Sequence, residues 1–145
     1  MGIFNWFRRH RPTPTPPTPP PEPTENQKEI QRRYLVLLNE YRKELNLPLL
    51  ILDEKLNEGA DNFSIQMYND GRISHKNFEN RMNALYPNTY AAENVAKNNT
   101  IEEAFSQWKN SMGHRLNMIS RSYTHCGIGS FNGYFTANFV RKTPR

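Results

Sequence analysis

The 145-residue chain reads as an α+β domain in which helices cover a small three-stranded antiparallel sheet. Three observations give that reading. Two amphipathic helical patterns come first, a short apolar segment and a third helical pattern follow, and the chain closes on alternating residues around an Asn-Gly turn. With 36% hydrophobic and 12% aromatic residues there is apolar surface for one packed core, and the length suits one domain.

The first helix starts near Asn26, where Ile30, Tyr34, Leu37, Leu38, Tyr41 and Leu45 recur at steps of three and four, and Pro48 stops it. A second begins at Asp53 as N-cap and buries Leu56, Ala60, Phe63 and Met67. It ends at Asn69-Asp70-Gly71. Ala91 to Ala96 reads as a strand. Thr100 with Glu103 forms a capping box for a third helix that turns Ile101, Ala104, Phe105 and Trp108 inward, and Gly113 interrupts it before a turn over residues 114–119. The period then becomes two: Cys126, Ile128 and Ser130 alternate with His125, Gly127 and Gly129, and Asn132-Gly133 turns the chain into a strand from Tyr134 to Val140. Cys126 is expected to be buried and His125 exposed.

Four segments follow from composition: a short apolar and basic head (1–11), a proline-rich linker (12–24), the folded domain (25–140) and a basic tail (141–145). Eight of the eleven prolines lie between Pro12 and Pro23, where fixed φ and missing donors favour a polyproline II rod of roughly 37 Å, at about 3.1 Å per residue. The head carries Ile3, Phe4, Trp6 and Phe7 ahead of Arg8, Arg9 and Arg11, a composition suited to docking on a membrane interface or in a protein groove. No apolar run approaches the roughly 18 residues of a transmembrane helix. No secretory signal is visible either, because the arginines follow the apolar part of the head.

The formal charge of +5 belongs to the two ends: residues 25–140 hold thirteen basic and thirteen acidic side chains. A neutral folded part lacks the density of cations that neutralises phosphates, so nucleic acid is not an expected partner. The single cysteine cannot form an internal disulfide, so burial alone must hold the core.

Four stretches place polar residues beside turns: GRISHKNF, AAENVA, WKNSMGHRLNM and HCGIGSFNGYF. Within them lie Ser74-His75, Glu93-Asn94-Val95, the WxxSxGHRxN run from Trp108 to Asn117, and Gly127-Ile128-Gly129 before the last strand. In order and spacing these resemble the CAP superfamily (cysteine-rich secretory protein, antigen 5, pathogenesis-related 1), as a small bacterial-type member without disulfides. The resemblance implies a three-layer α-β-α sandwich, an extracellular setting, and a cleft lined by His75, His114 and Glu93. Asn94, Ser111 and Arg115 would stand beside it, and Glu79 is the one carboxylate at the place of a second cleft acid.

For function the resemblance implies a monomeric binding domain whose cleft takes a small lipid- or sterol-type ligand or a cell-surface or cell-wall partner. One alternative is a peptidase-like hydrolase, with His75 and His114 holding Zn²⁺ or another divalent cation and Glu93 as general base. Another is a tethered interaction module that works through its head and rod. Two imidazoles and a carboxylate also suffice for a purely structural polar network. Ser111, Ser74 and Cys126 are the candidate nucleophiles, with Ser111 expected to cap the turn before Gly113. Arg81 and Asn117 are expected in supporting or structural roles.

Overall fold

The computed structural model describes Pro16 and residues 22–142. The head, most of the proline-rich linker and the last three residues lie outside the described residues, and with them the expectation of membrane or protein docking through residues 1–11.

Helix α1 (Glu25–Glu44) starts on a capping box in which Thr24 and Gln27 exchange hydrogen bonds of 2.7 and 3.1 Å. It buries Tyr34 and Leu38, and also Arg42, whose guanidinium donates to the carbonyls of Pro48, Met118 and Ser120. Strand β1 (Ile51–Leu52) is followed by α2 (Glu54–Asp70), capped by the Asp53 carboxylate and closed by Gly71 at φ 73°. Then come α3 (Phe78–Leu85), β2 (Ala91–Lys97), α4 (Ile101–Lys109), α5 (Met112–Ile119), β3 (His125–Phe131) and β4 (Tyr134–Val140).

The sheet corrects the expectation of three antiparallel strands. It has four, in the order β1-β3-β4-β2, and β1 runs parallel to β3 with Ile51 opposite His125. The ladder of β2, β4 and β3 is antiparallel. Two residues are too few to show a period, so β1 leaves no pattern to read. Its outer edge is closed at Leu50, where the Asn39 side-chain amide donates to the carbonyl and accepts from the N–H, both at 2.9 Å. A helix side chain thus takes the place of a further strand.

Two helices also differ from expectation. Residues 78–85 form α3, and residues 112–119 form a helix where the sequence predicts a turn, with Gly113 in its first turn.

Alternation along the strands distributes side chains to two layers. Phe135, Ala137 and Phe139 of β4, with Cys126, Ile128, Ala92 and Ala96, pack against Tyr34 and Leu38 of α1 and Ile101, Ala104 and Trp108 of α4. On the opposite face Val95 and Tyr134 meet Phe63 and Met67 of α2, while Val140 meets Leu56 and Met82. Helices α1, α4 and α5 thus cover one side and α2 and α3 the other. At Gly127 and Gly129 the α2 backbone comes so close to β3 that a Cβ on either would overlap the backbone of Leu56 and Asn57, or of Ala60 and Asp61. Cys126 is fully buried and unpaired, and burial pushes its thiol pKa up to about 12.

Candidate functional site

Strand β2 lies at one edge of the sheet, and its neighbouring residues Glu93 and Asn94 face opposite layers. That alternation builds the site in two halves, one on each side of the edge.

On the α2–α3 side, the Glu93 side chain is 1% exposed and both of its oxygens are engaged. Arg81 of α3 donates from its two terminal nitrogens at 2.7 and 3.0 Å, a bidentate fork. Asn138, directly across the ladder on β4, donates to Oε1 at 2.9 Å. His75, in the loop before α3, donates from Nδ1 to Oε2 at 2.9 Å while its ring stays 54% exposed. Arg81 is itself fixed, with Nε donating to the Lys76 carbonyl and the guanidinium 3.4 Å above the centre of the Phe63 ring. A buried carboxylate is thereby neutralised and hydrogen-bonded at once, the condition under which burial of charge is tolerated.

On the α5 side, Asn94 is fully buried and ties β2 to the helix: it donates to the His114 carbonyl at 3.1 Å and accepts from Asn117 at 2.9 Å. Ser111 occupies the N-cap position, but its hydroxyl caps no backbone N–H; it pairs with His114 Nδ1 at 2.9 Å. Burial first, and then the nearby His75, hold the His114 imidazolium below its ordinary pKa, which favours the neutral ring. Each imidazole therefore spends Nδ1 on an internal partner.

Several expected residues stand elsewhere. Arg115 donates to the Lys109 carbonyl at the end of α4 and makes no described bond to the His75–Glu93 group. Glu79 is exposed in the first turn of α3. His125 is half-buried rather than exposed, its Nδ1 paired with the Thr124 hydroxyl at 2.8 Å. Ser74 accepts only from the Lys76 N–H, and Cys126 lies in the core. Asn138 is absent from the sequence reading, although Thr136 and Asn138, two apart in an otherwise apolar strand, mark a polar stripe on one face.

Among the described residues no three His, Cys, Asp or Glu side chains converge as a metal-ligand set, and no helix is long and apolar enough to cross a membrane. Two hollows lie away from this site. One of about 260 Å³ is lined by Arg32, Arg33, Val36 and Leu37 of α1 with Glu102 of α4; one of about 350 Å³ lies between Lys97, Asn99, Glu103 and the β3–β4 turn.

Comparison with known proteins bears on this arrangement. The profile of the cysteine-rich secretory protein family, CAP, matches residues 35–140. The chain is 29% identical over 121 residues to the uncharacterized protein YkwD of Bacillus subtilis (strain 168), covering 77% of this chain and 47% of that protein. It is 31% identical over 129 residues to the uncharacterized membrane protein YlbC of the same organism, covering 81% and 37%. The chain thus spans less than half the length of these curated relatives. Among solved structures it is similar to an extracellular SCP-domain protein of Bacillus anthracis, at TM-score 0.75 and 27% identity over 86% of this chain and 45% of that one. An outer surface protein of Borrelia burgdorferi shares the fold at TM-score 0.71 and 21% identity, covering 84% and 97%.

Proposed function

Because the chain belongs to the cysteine-rich secretory protein (CAP) family, we propose that it is a non-enzymatic binding module whose His75–His114 cleft engages a cell-surface or cell-wall partner. The observation that carries this reading is the state of Glu93. Its two oxygens already take two donors from Arg81, one from Asn138 and one from His75, so the carboxylate has no lone pair directed to a substrate or a water. A general base must be within reach of the proton it abstracts, and here the position is filled by a cation. What remains for recognition is the outer edge of the two rings. A small apolar ligand finds matching chemistry at the hollow between α1 and α4, where Val36 is exposed and Leu37 half-buried, rather than in the polar cleft.

A divalent ion is the second reading, and the direction of the hydrogen bonds favours it. In a neutral His75 ring, Nδ1 donating to a carboxylate leaves the lone pair on Nε2, the carboxylate–histidine arrangement that orients imidazole toward metal. His114 Nδ1 is likewise engaged, by Ser111. His75 and His114 would supply two nitrogens and water the rest, with Glu93 as the orienting partner, one protein ligand fewer than a catalytic zinc site normally has.

Calorimetric titration with Zn²⁺ and co-sedimentation with purified bacterial cell walls separate the two readings. Retention on cell walls lost in a His75→Ala/His114→Ala variant supports partner binding. Stoichiometric Zn²⁺ binding lost in either single variant establishes the metal site, and the absence of both effects overturns both readings.

A further inference from the structure

Past β4 the chain is tied down on the domain. The Arg141 N–H donates to the Tyr90 carbonyl at 3.0 Å, and the Lys142 N–H donates to the Thr124 hydroxyl oxygen at 2.8 Å. The Lys142 ammonium reaches Asp53 Oδ2 at 2.8 Å, where the Tyr86 hydroxyl also donates, at 2.6 Å. Asp53 Oδ1 meanwhile caps α2 by accepting from the Leu56 N–H. One carboxylate, its side chain 5% exposed, thus joins the start of α2, the residue after α3 and the segment that follows β4.

His125 adjoins this arrangement. Its Nδ1 lies 2.8 Å from the same Thr124 hydroxyl that receives the Lys142 N–H. In a neutral ring that accepts at Nδ1 the bonds run one way, from the Lys142 N–H to the Thr124 oxygen and from the Thr124 O–H to the imidazole. A proton on Nδ1 turns the second bond round. The hydroxyl then faces two donors, and its own proton loses this acceptor. The surroundings of the ring oppose that proton as well. β1 sets Ile51 beside His125 and β4 sets Val140 opposite, both uncharged, while the segment after β4 brings the Lys142 ammonium and the α2 cap brings Asp53. Asp53 is already engaged by Lys142, Tyr86 and Leu56, and Lys55 adds a second ammonium 5.5 Å from the Tyr86 ring centre. Burial first, and then Lys142, hold the His125 imidazolium below its ordinary pKa, with Asp53 opposing.

We propose that the Val140–Lys142 segment is a pH-sensitive clasp, closed beside neutral His125 and released when that ring takes up a proton. In mildly acid solution His125 is the group of the clasp that titrates. Burial works to raise the Asp53 carboxyl, but Lys142, Tyr86 and the Leu56 N–H outweigh it and keep the group ionised. The bond to Asp53 keeps Lys142 an ammonium. A ring that resists its proton in the closed state accepts it more readily once released, so acid shifts the balance toward the open clasp as pH falls below the ordinary value of 6.5. Release frees the Lys142 cation at the edge of a domain that is otherwise formally neutral.

NMR on the full chain between about pH 7.5 and about pH 4.5 tests this. The Lys142 amide is expected to move to its random-coil shift and its heteronuclear NOE to fall, with the midpoint of the His125 ring carbons, while the sheet amides stay in place. His125→Gln should hold the Lys142 amide at its neutral-pH position across the range. Lys142→Met removes the neighbouring cation, so the His125 midpoint should rise toward that of an exposed histidine. A Lys142 amide unmoved while His125 titrates would overturn the proposal. So would release that persists in His125→Gln, release only together with the whole sheet, or a His125 midpoint unchanged by Lys142→Met.

Discussion

Arg81 is the residue on which the cleft turns, because it supplies the permanent positive charge that balances buried Glu93. Arg81→Ala leaves that carboxylate without this counter-ion and is expected to lower unfolding free energy by about 3 kcal/mol in urea denaturation. His75→Ala, at a ring more than half exposed, should cost less than about 1 kcal/mol. Asp61 offers a pH test. Burial, opposed by the Ser130 N–H and aided by Glu58, raises its carboxyl to about 6. A folded-state pKa above the unfolded value means that the native state holds the proton longer, so this group's stabilisation is present below about pH 4 and is lost as pH rises through 6. Relative to Asp61→Asn, the wild-type protein should therefore lose about 1–2 kcal/mol between about pH 4 and pH 7 in paired denaturation curves, a figure reduced for partial exposure. His75, Glu93 and His114 entered the reading through the resemblance to the CAP superfamily; in the structure His75 bonds Glu93 and lies near His114. Arg81 was readable only as a loop-end residue, since the helix that aims it leaves no start signal, while Arg115 on α5 reaches back to the Lys109 carbonyl at the end of α4.

The elements that escaped sequence reading share a cause: each lacks a local start or stop signal. Helix α3 follows Asn77 at φ 57° with no side-chain cap, and α5 follows Ser111 whose hydroxyl is spent on His114. Helix α1 was legible from its apolar spacing although its cap at Thr24 was not read, α2 and α4 from their caps at Asp53 and Thr100, and the hairpin from Asn132-Gly133. The short β1 exists because tertiary contacts hold it, and Asn39 is one of them. Asn39→Ala opens two hydrogen bonds at Leu50 and should cost about 1–2 kcal/mol, with hydrogen exchange accelerated at the Leu50 amide ahead of the central strands. The contact between α2 and β3 is stricter. Gly129→Ala forces a Cβ into the backbone of Ala60 and Asp61, so a loss of about 3 kcal/mol or more is expected in thermal unfolding.

On the scale of the whole molecule, charge and shape are separated. The folded domain is formally neutral, so attraction to an anionic surface has to come from the ends. Binding of the full chain to phosphatidylglycerol vesicles is expected to fall on deletion of residues 1–11 and to weaken as salt rises, measured by co-sedimentation. Two helical layers meet on one sheet, and Cys126 sits in the middle of that stack with its sulfur sealed from solvent. A thiol so placed meets neither glutathione nor peroxide while the domain is folded. Oxidising and reducing surroundings thus leave the same three-layer architecture, and its assembly waits on no disulfide isomerase. Alkylating reagents reach the thiol only when the domain opens around it, so labelling of Cys126 reports opening: its rate where alkylation outpaces reclosing, its equilibrium population where it does not.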